Sequence, residues 1–101
     1  MSPRYQIAYT YRARTDLLGI YAHIAEDSFD GAEAMTERIL DGIELLAVIP
    51  RRQAVLDQRI KGDVYSLPVW PYMVFFRIAE NEARVYIVRI RHGARRPLRR
   101  F

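Results

Sequence analysis

The residues best suited to chemistry lie together near the C-terminal end, in Arg89-Ile90-Arg91-His92-Gly93-Ala94-Arg95-Arg96-Pro97, with Arg99 and Arg100 just beyond. Guanidinium groups bind carboxylate and phosphate through paired, planar hydrogen bonds. Histidine titrates near neutral pH, so His92 could act as a general base. Three readings fit such a group. It could be a solvating cationic tail, it could contact an acidic partner or nucleic acid, or it could stabilise charge on a transferring phosphate. The last requires organised donors aimed at the developing charge. On the residues alone all three stay open, and His92 also fits a strand-end histidine that bonds locally or touches a partner.

Other candidates are weaker. Trp70, Tyr72 and Phe76 could stack bases, but their spacing suits a core, and a core is the expectation. Asp16, Glu26 and Glu37 form no paired-carboxylate arrangement and are expected on solvated helix faces, as is His23. There is no glycine-rich phosphate loop, no His-Glu-x-x-His, no Gly-x-Ser-x-Gly and no acidic calcium loop. Two histidines cannot build a histidine-rich metal centre, and the absence of cysteine rules out disulfides and thiolate sites. No metal or cofactor is expected.

The elements that must position the basic group are two apolar strands. Tyr72-Met73-Val74-Phe75-Phe76-Arg77-Ile78-Ala79 is aromatic and β-branched, as a pleated buried surface requires. Glu80-Asn81-Glu82 predicts the turn, with Asn81 tolerating positive φ. Ala83 to Ile90 predicts the return strand of an antiparallel hairpin, and Gly93 and Pro97 stop the ladder. Arg77, Arg89 and Arg91 share parity within their strands, which allows a stripe on one sheet face; the register across the hairpin is not legible.

Upstream, Tyr5 to Tyr9 alternates as a first strand, with Tyr5, Ile7 and Tyr9 on one face. Thr10 suits the cap of a helix whose stripe is Ala13, Leu17, Ile20, Tyr21 and Ile24. That helix is expected to fray near residues 28–31. Asp30, with Glu33 three residues on, predicts a capping box for a second helix. Met35, Ile39, Ile43, Leu46 and Ile49 trace its buried stripe, and Pro50 ends it. Residues 51–62 are irregular, and Val64 to Leu67 predicts a short strand before Pro68. Trp70-Pro71 marks the turn into the hairpin. The fold expected is therefore α+β, in the order β-α-α-β-β-β, a helical hairpin packed on one face of a mostly antiparallel four-stranded sheet.

The chain has 101 residues, the length of a single domain spanning 1–101, and half of them are hydrophobic. Its net charge of +4 is uneven. Residues 1–49 hold four basic and eight acidic side chains, residues 50–101 twelve and four. The basic half could meet nucleic acid or an acidic partner. Only Lys61 among the 16 cations is a lysine. That bias suits paired contacts to anions, and GC-rich codon usage would produce it equally. The N-terminus has no apolar signal region and no run approaches the ~20 residues of a membrane span, so a cytoplasmic protein is expected.

The order and spacing of these pieces resemble the ParE/RelE superfamily of bacterial toxin–antitoxin toxins over nearly the whole chain. The matching residues are the opening strand and Thr10-x-x-Ala13-x-x-Asp16-Leu17-x-x-Ile20-Tyr21-x-x-Ile24. They continue with Leu45-Leu46 before Pro50, Arg59, Pro71 to Ile78, Val85 to Ile90, and Arg91-His92-Gly93-Ala94-Arg95. The resemblance implies a toxin that halts growth, serves in plasmid maintenance, and is silenced by a cognate ParD-like antitoxin in a hetero-oligomer. Two activities occur in the superfamily. ParE-like members bind DNA gyrase and trap its cleaved-DNA complex without being enzymes; RelE-like members cut messenger RNA on the ribosome.

The details lean toward ParE. Met73 stands where RelE-like members commonly carry an arginine after the tyrosine of the third strand. Their lysine-rich stretch is reduced here to Arg59 and Lys61, and the ending resembles the ParE histidine-glycine-arginine ending. Arg95 matches both groups. On this reading Arg91, His92, Arg95 and Arg96 contact the target, with Arg99 and Arg100 as electrostatic support. The alternative makes His92 and Arg95 catalytic; a general acid is then missing, and Tyr72 or Tyr86 could serve only if the fold brings it within reach of the substrate.

Overall fold

The computed structural model describes residues 4–48 and 64–93. The order within them is β1 (Gln6–Tyr9), α1 (Tyr11–Ala25), α2 (Phe29–Leu45), β2 (Val64–Val69), β3 (Tyr72–Ala79) and β4 (Arg84–His92), with a 3₁₀ turn at Glu80–Glu82. The sheet runs β1-β4-β3-β2. β1 pairs with β4 in parallel, and the other two pairings are antiparallel. The α+β expectation therefore holds, as two helices on a mixed four-stranded sheet.

Thr10 joins three elements. Its backbone is extended, and its hydroxyl accepts from the Ala13 N–H at 3.1 Å, satisfying one orphan donor of α1. The same hydroxyl donates to the Val88 carbonyl at 3.2 Å, and the Thr10 N–H donates to the Ile87 carbonyl at 3.0 Å. The cap thus stitches the start of α1 to β4. Ala13 is buried, and Leu17, Ile20 and Ile24 pack on the core as their spacing predicts.

α2 is capped by Ser28, whose hydroxyl accepts from the Gly31 N–H at 2.9 Å. This corrects the capping box expected at Asp30. Asp30 instead lies in the first turn, where its charge favours the helix dipole, and Glu33 accepts from the Tyr21 hydroxyl at 3.1 Å. Met35, Ile39, Ile43 and Leu46 are buried against Leu67, Val69, Val74, Phe76, Val85, Ile87 and Ile90. Full burial of such side chains is worth about 1.5–3 kcal/mol each. Ile49, Pro50 and the irregular stretch to Gly62 lie outside the described residues.

Three further expectations change. β2 continues through Pro68 to Val69; as an edge strand it tolerates a residue that cannot donate. The positive φ of the β3–β4 turn falls on Ala83 (φ 52°) and not on Asn81, because residues 80–82 close a 3₁₀ turn first. β4 runs on to His92, so Arg91 and His92 belong to the sheet.

The hairpin register contains a bulge. Phe75 pairs with Arg89 but Phe76 pairs with Ile87, leaving Val88 as the extra residue. A regular ladder continued from Arg77↔Tyr86 would turn Arg89 and Arg91 toward the helices. The bulge reverses that parity, so Ile87 and Ile90 both enter the core and Arg91 faces the other side, across from Met73.

Candidate functional site

The end of β4, the β2–β3 turn and the middle of α2 converge at one edge of the molecule. The Trp70-Pro71 bond is cis, and Tyr72 resumes the sheet opposite His92. The Gly93 N–H donates to the Pro71 carbonyl at 2.7 Å. From α2, the Arg38 guanidinium donates to the Trp70 carbonyl at 3.2 Å and lies 4.0 Å from the Met35 sulfur. Trp70 is held by its backbone carbonyl while the residue stays 68% exposed. A Cβ on Gly93 would come within 3.2 Å of both the indole Cζ3 and the Pro71 carbonyl. Glycine is therefore what allows the indole to lie over the strand end.

His92 and Arg91 leave adjacent positions on opposite sheet faces. His92 is on the helix side, where its ring meets the Tyr72 ring edge-on, with centroids 5.4 Å apart and planes at 81°. Arg91 is on the other side beside Met73. The two bracket the end of the sheet, and the Trp70 indole lies beside the next residue, Gly93. This compact edge brings together an exposed aromatic, an imidazole and a cation, and is the candidate site. Arg95, Arg96, Arg99 and Arg100 lie outside the described residues.

The arginine stripe does not form as a unit. Arg77 and Arg91 share a face but sit four rungs apart on β3, about 13 Å. Arg89 is withdrawn into an ion pair with Asp16, Nε to Oδ2 at 2.8 Å and a second guanidinium nitrogen to Oδ1 at 3.2 Å. Asp16 also accepts from the Ile90 N–H at 2.9 Å. This corrects the expectation that Asp16 lies on a solvated face. β1 ends opposite Ile87, so beyond it the edge of β4 has no strand neighbour, and the Asp16 carboxylate from α1 takes that place.

Of the two tyrosines considered as acids, Tyr72 is buried in the core. Tyr86 lies six residues along β4 from His92, about 20 Å away, and donates to Glu82 at 2.7 Å. Phe76 is fully buried as well, leaving Trp70 alone of the three aromatics free to stack. The sequence signal for that difference was Pro71, which forces its predecessor into the turn. Arg38 was missed; nothing in α2's periodicity distinguishes it from other exposed helix cations. A cleft lined by Arg4, Gln6, Glu82, Ala83 and Arg84 lies at the opposite end of β4. Among the described residues no group of three or more His, Cys, Asp or Glu could hold a metal ion, and no helix is long and apolar enough to cross a membrane.

A helical hairpin on a mixed sheet, with a bulged last strand ending in this edge, is the RelE/ParE-like α+β fold. It superposes on a chain of the chromosomal ParDE toxin–antitoxin system of P. aeruginosa with a TM-score of 0.72 at 23% identity, covering 90% of this chain and 98% of that one. Against the RelBE2 toxin–antitoxin complex of Mycobacterium tuberculosis the TM-score is 0.65 at 21% identity, covering 94% and 98%. The family model for the ParE toxin of the type II toxin–antitoxin system, parDE, matches residues 7–97, and the chain belongs to that family. It is also 32% identical over 90 residues to toxin RelE2 of Caulobacter vibrioides, covering 89% of this chain and 97% of that protein.

Proposed function

We propose that this chain is the toxin of a ParDE-type pair, that it binds DNA gyrase and traps the cleaved-DNA complex, and that a ParD-like antitoxin silences it in a hetero-oligomer. The observation that carries the reading is the pairing of Met73 with Arg91. A thioether occupies the place beside the strand end where a phosphate-cleaving centre would gain from a second cation. The separation of His92 from Tyr86 and the burial of Tyr72 support the same reading, because general acid–base chemistry needs both groups within reach of one substrate. Trp70, Arg91 and His92 then serve as contacts to a protein surface, where exposed tryptophan and arginine are common anchors. Arg95, Arg96, Arg99 and Arg100 extend that contact.

The test mixes purified protein with gyrase and supercoiled plasmid. Linear DNA that accumulates, and that disappears when antitoxin is added, supports the reading. Arg95→Ala with Arg96→Ala should abolish the effect while folding and antitoxin binding persist; survival of the effect sinks the role of these residues.

The second reading, a ribosome-dependent endoribonuclease with His92 as base and Arg95 on the phosphate, draws its support from the identity to toxin RelE2. It requires that His92→Gln alone removes toxicity and that cleaved messages appear within minutes of induction. A folded, growth-inhibiting preparation inert toward gyrase would favour it.

A further inference from the structure

The β2–β3 turn consists of Trp70 and Pro71, flanked by the paired residues Val69 and Tyr72. Its two carbonyls are held from different parts of the molecule. The Pro71 carbonyl accepts from the Gly93 N–H at 2.7 Å, which ties the turn to the end of β4. The Trp70 carbonyl accepts from the Arg38 guanidinium at 3.2 Å, which ties the turn to α2.

Local packing explains why Arg38 reaches the turn. Gly42 lies four residues on, one turn along the same helix face. A Cβ there would come within 3.0 Å of a Val69 methyl, so α2 runs close against the end of β2. Arg38 is thereby set alongside the residue that follows Val69. Its other terminal nitrogen lies 4.0 Å from the sulfur of buried Met35, a weak acceptor one turn back. Asp41, three residues on, stands at a spacing that suits an ion pair. Among the described residues the guanidinium pairs with no carboxylate and takes the carbonyl instead.

The consequence lies in the side chain that this backbone carries. The Trp70 indole rests against Gly93, but the residue is 68% exposed, so packing alone fixes little of it. The turn peptide sets the direction in which the indole leaves. Ordering a contact residue on association costs affinity, and a residue held in place beforehand avoids that loss. We propose that Arg38 is a positioning residue of the candidate edge: it holds the β2–β3 turn so that Trp70 meets the target already oriented, and does not itself touch the target. The proposal rests on the reading of Trp70 as a target contact.

Two substitutions separate the roles of the donor and the stem. Arg38→Met keeps the length of the side chain and removes its donors, whereas Arg38→Lys keeps a charged donor. Time-resolved fluorescence anisotropy of the single tryptophan, in purified full chain, should show faster local motion of the indole in Arg38→Met. Arg38→Lys should stay close to wild type, and because the bond is exposed the urea midpoints of both should barely move. The concentration needed to trap cleaved DNA on gyrase should rise about tenfold in Arg38→Met, the loss expected of one charge-assisted hydrogen bond, and much less in Arg38→Lys. In a Trp70→Ala background Arg38→Met should add nothing, since the two act through one contact.

Losses that add in the double variant overturn the proposal, as does a tenfold loss with indole motion unchanged, because Arg38 would then meet the target directly. A large fall in the urea midpoint also overturns it, making Arg38 a residue of the fold alone. If Trp70→Ala by itself keeps full inhibition, Trp70 is not a contact and the proposal falls with it. Wild-type protein inert toward gyrase sinks the gyrase reading alone. The same variants are then ranked by growth arrest on induction, where the same order and the same absence of additivity are required.

Discussion

Asp16 and Arg89, 73 positions apart, form a bidentate ion pair in which each side chain is less than one-fifth exposed. The same carboxylate accepts from the Ile90 N–H, so one residue of α1 both neutralises a cation and completes the ladder of β4. Replacing Asp16 by alanine removes both functions. It leaves a shielded guanidinium and an unpaired backbone donor, at a cost of about 2–4 kcal/mol. Urea denaturation measures this directly. A loss under about 0.5 kcal/mol, the scale of an ordinary surface change, would show that water replaces the carboxylate. Arg89→Met in the Asp16→Leu background should recover much of the loss, since an apolar pair of similar bulk often matches a shielded ion pair.

Two helical glycines should respond oppositely to the same change. Gly19 faces open space, so Gly19→Ala gains helix propensity and should stabilise the monomer by about 0.5–1 kcal/mol. In Gly42→Ala the new methyl would sit 3.0 Å from a Val69 methyl and 3.8 Å from Leu67. Overpacking there costs about 1–3 kcal/mol and outweighs the propensity gain. Thermal unfolding of the two variants should therefore move in opposite directions. Equal upward shifts would mean that β2 yields to α2.

Gly93→Ala should act on the candidate edge and not on the core. The added methyl crowds the Pro71 carbonyl and the Trp70 indole. The chain has a single tryptophan, so its emission spectrum reports the displacement without interference. The expected outcome is a shifted emission maximum and weaker target inhibition with little change in unfolding midpoint. An unchanged spectrum with full inhibition would remove Trp70 from the contact.

Stability should fall in alkali. Burial first, and then the Glu44 carboxylate, pushes the Tyr9 phenol above its usual value of 10.0. The folded chain therefore holds that proton longer than the unfolded chain. The contribution is complete below about pH 10 and is lost as pH rises through the raised value. Tyr21 shifts the same way, through its hydrogen bond to Glu33 before the lesser effects of burial and charge. Denaturant midpoints from about pH 8 to 11 should decline at the upper end. Tyr9→Phe should flatten that decline; an equal slope in the variant would place its origin elsewhere.

The element order and most of the core were legible because each element shows its own period. α2 repeats apolar residues at three and four, and β3 alternates around Val74 and Phe76. The bulge was not legible, since Val85, Ile87, Val88 and Ile90 supply apolar residues to either parity of β4. Asp16 was misplaced for a related reason. It lies off the apolar stripe of α1, and only the end of β1 opposite Ile87 exposes a backbone donor for it to meet. Ser28 and Asp30 are equally good caps in isolation, and the choice fell where the turn from α1 ends. At the candidate edge, Arg91 and His92 are consecutive residues of β4. Their division between two faces follows from strand geometry once β4 is seen to include them.

The parallel pairing of β1 with β4 joins residues such as Gln6 and Arg84 across most of the chain. During synthesis the helices and β3 emerge first, while β1 has no strand to join until β4 follows. Thr10 and Asp16 also wait, since their partners Val88, Arg89 and Ile90 belong to that strand. The nascent chain therefore cannot acquire its harmful shape piecemeal, because long-range closure comes last. A cell has the whole period of translation in which to supply a neutralising protein before the first active molecule exists.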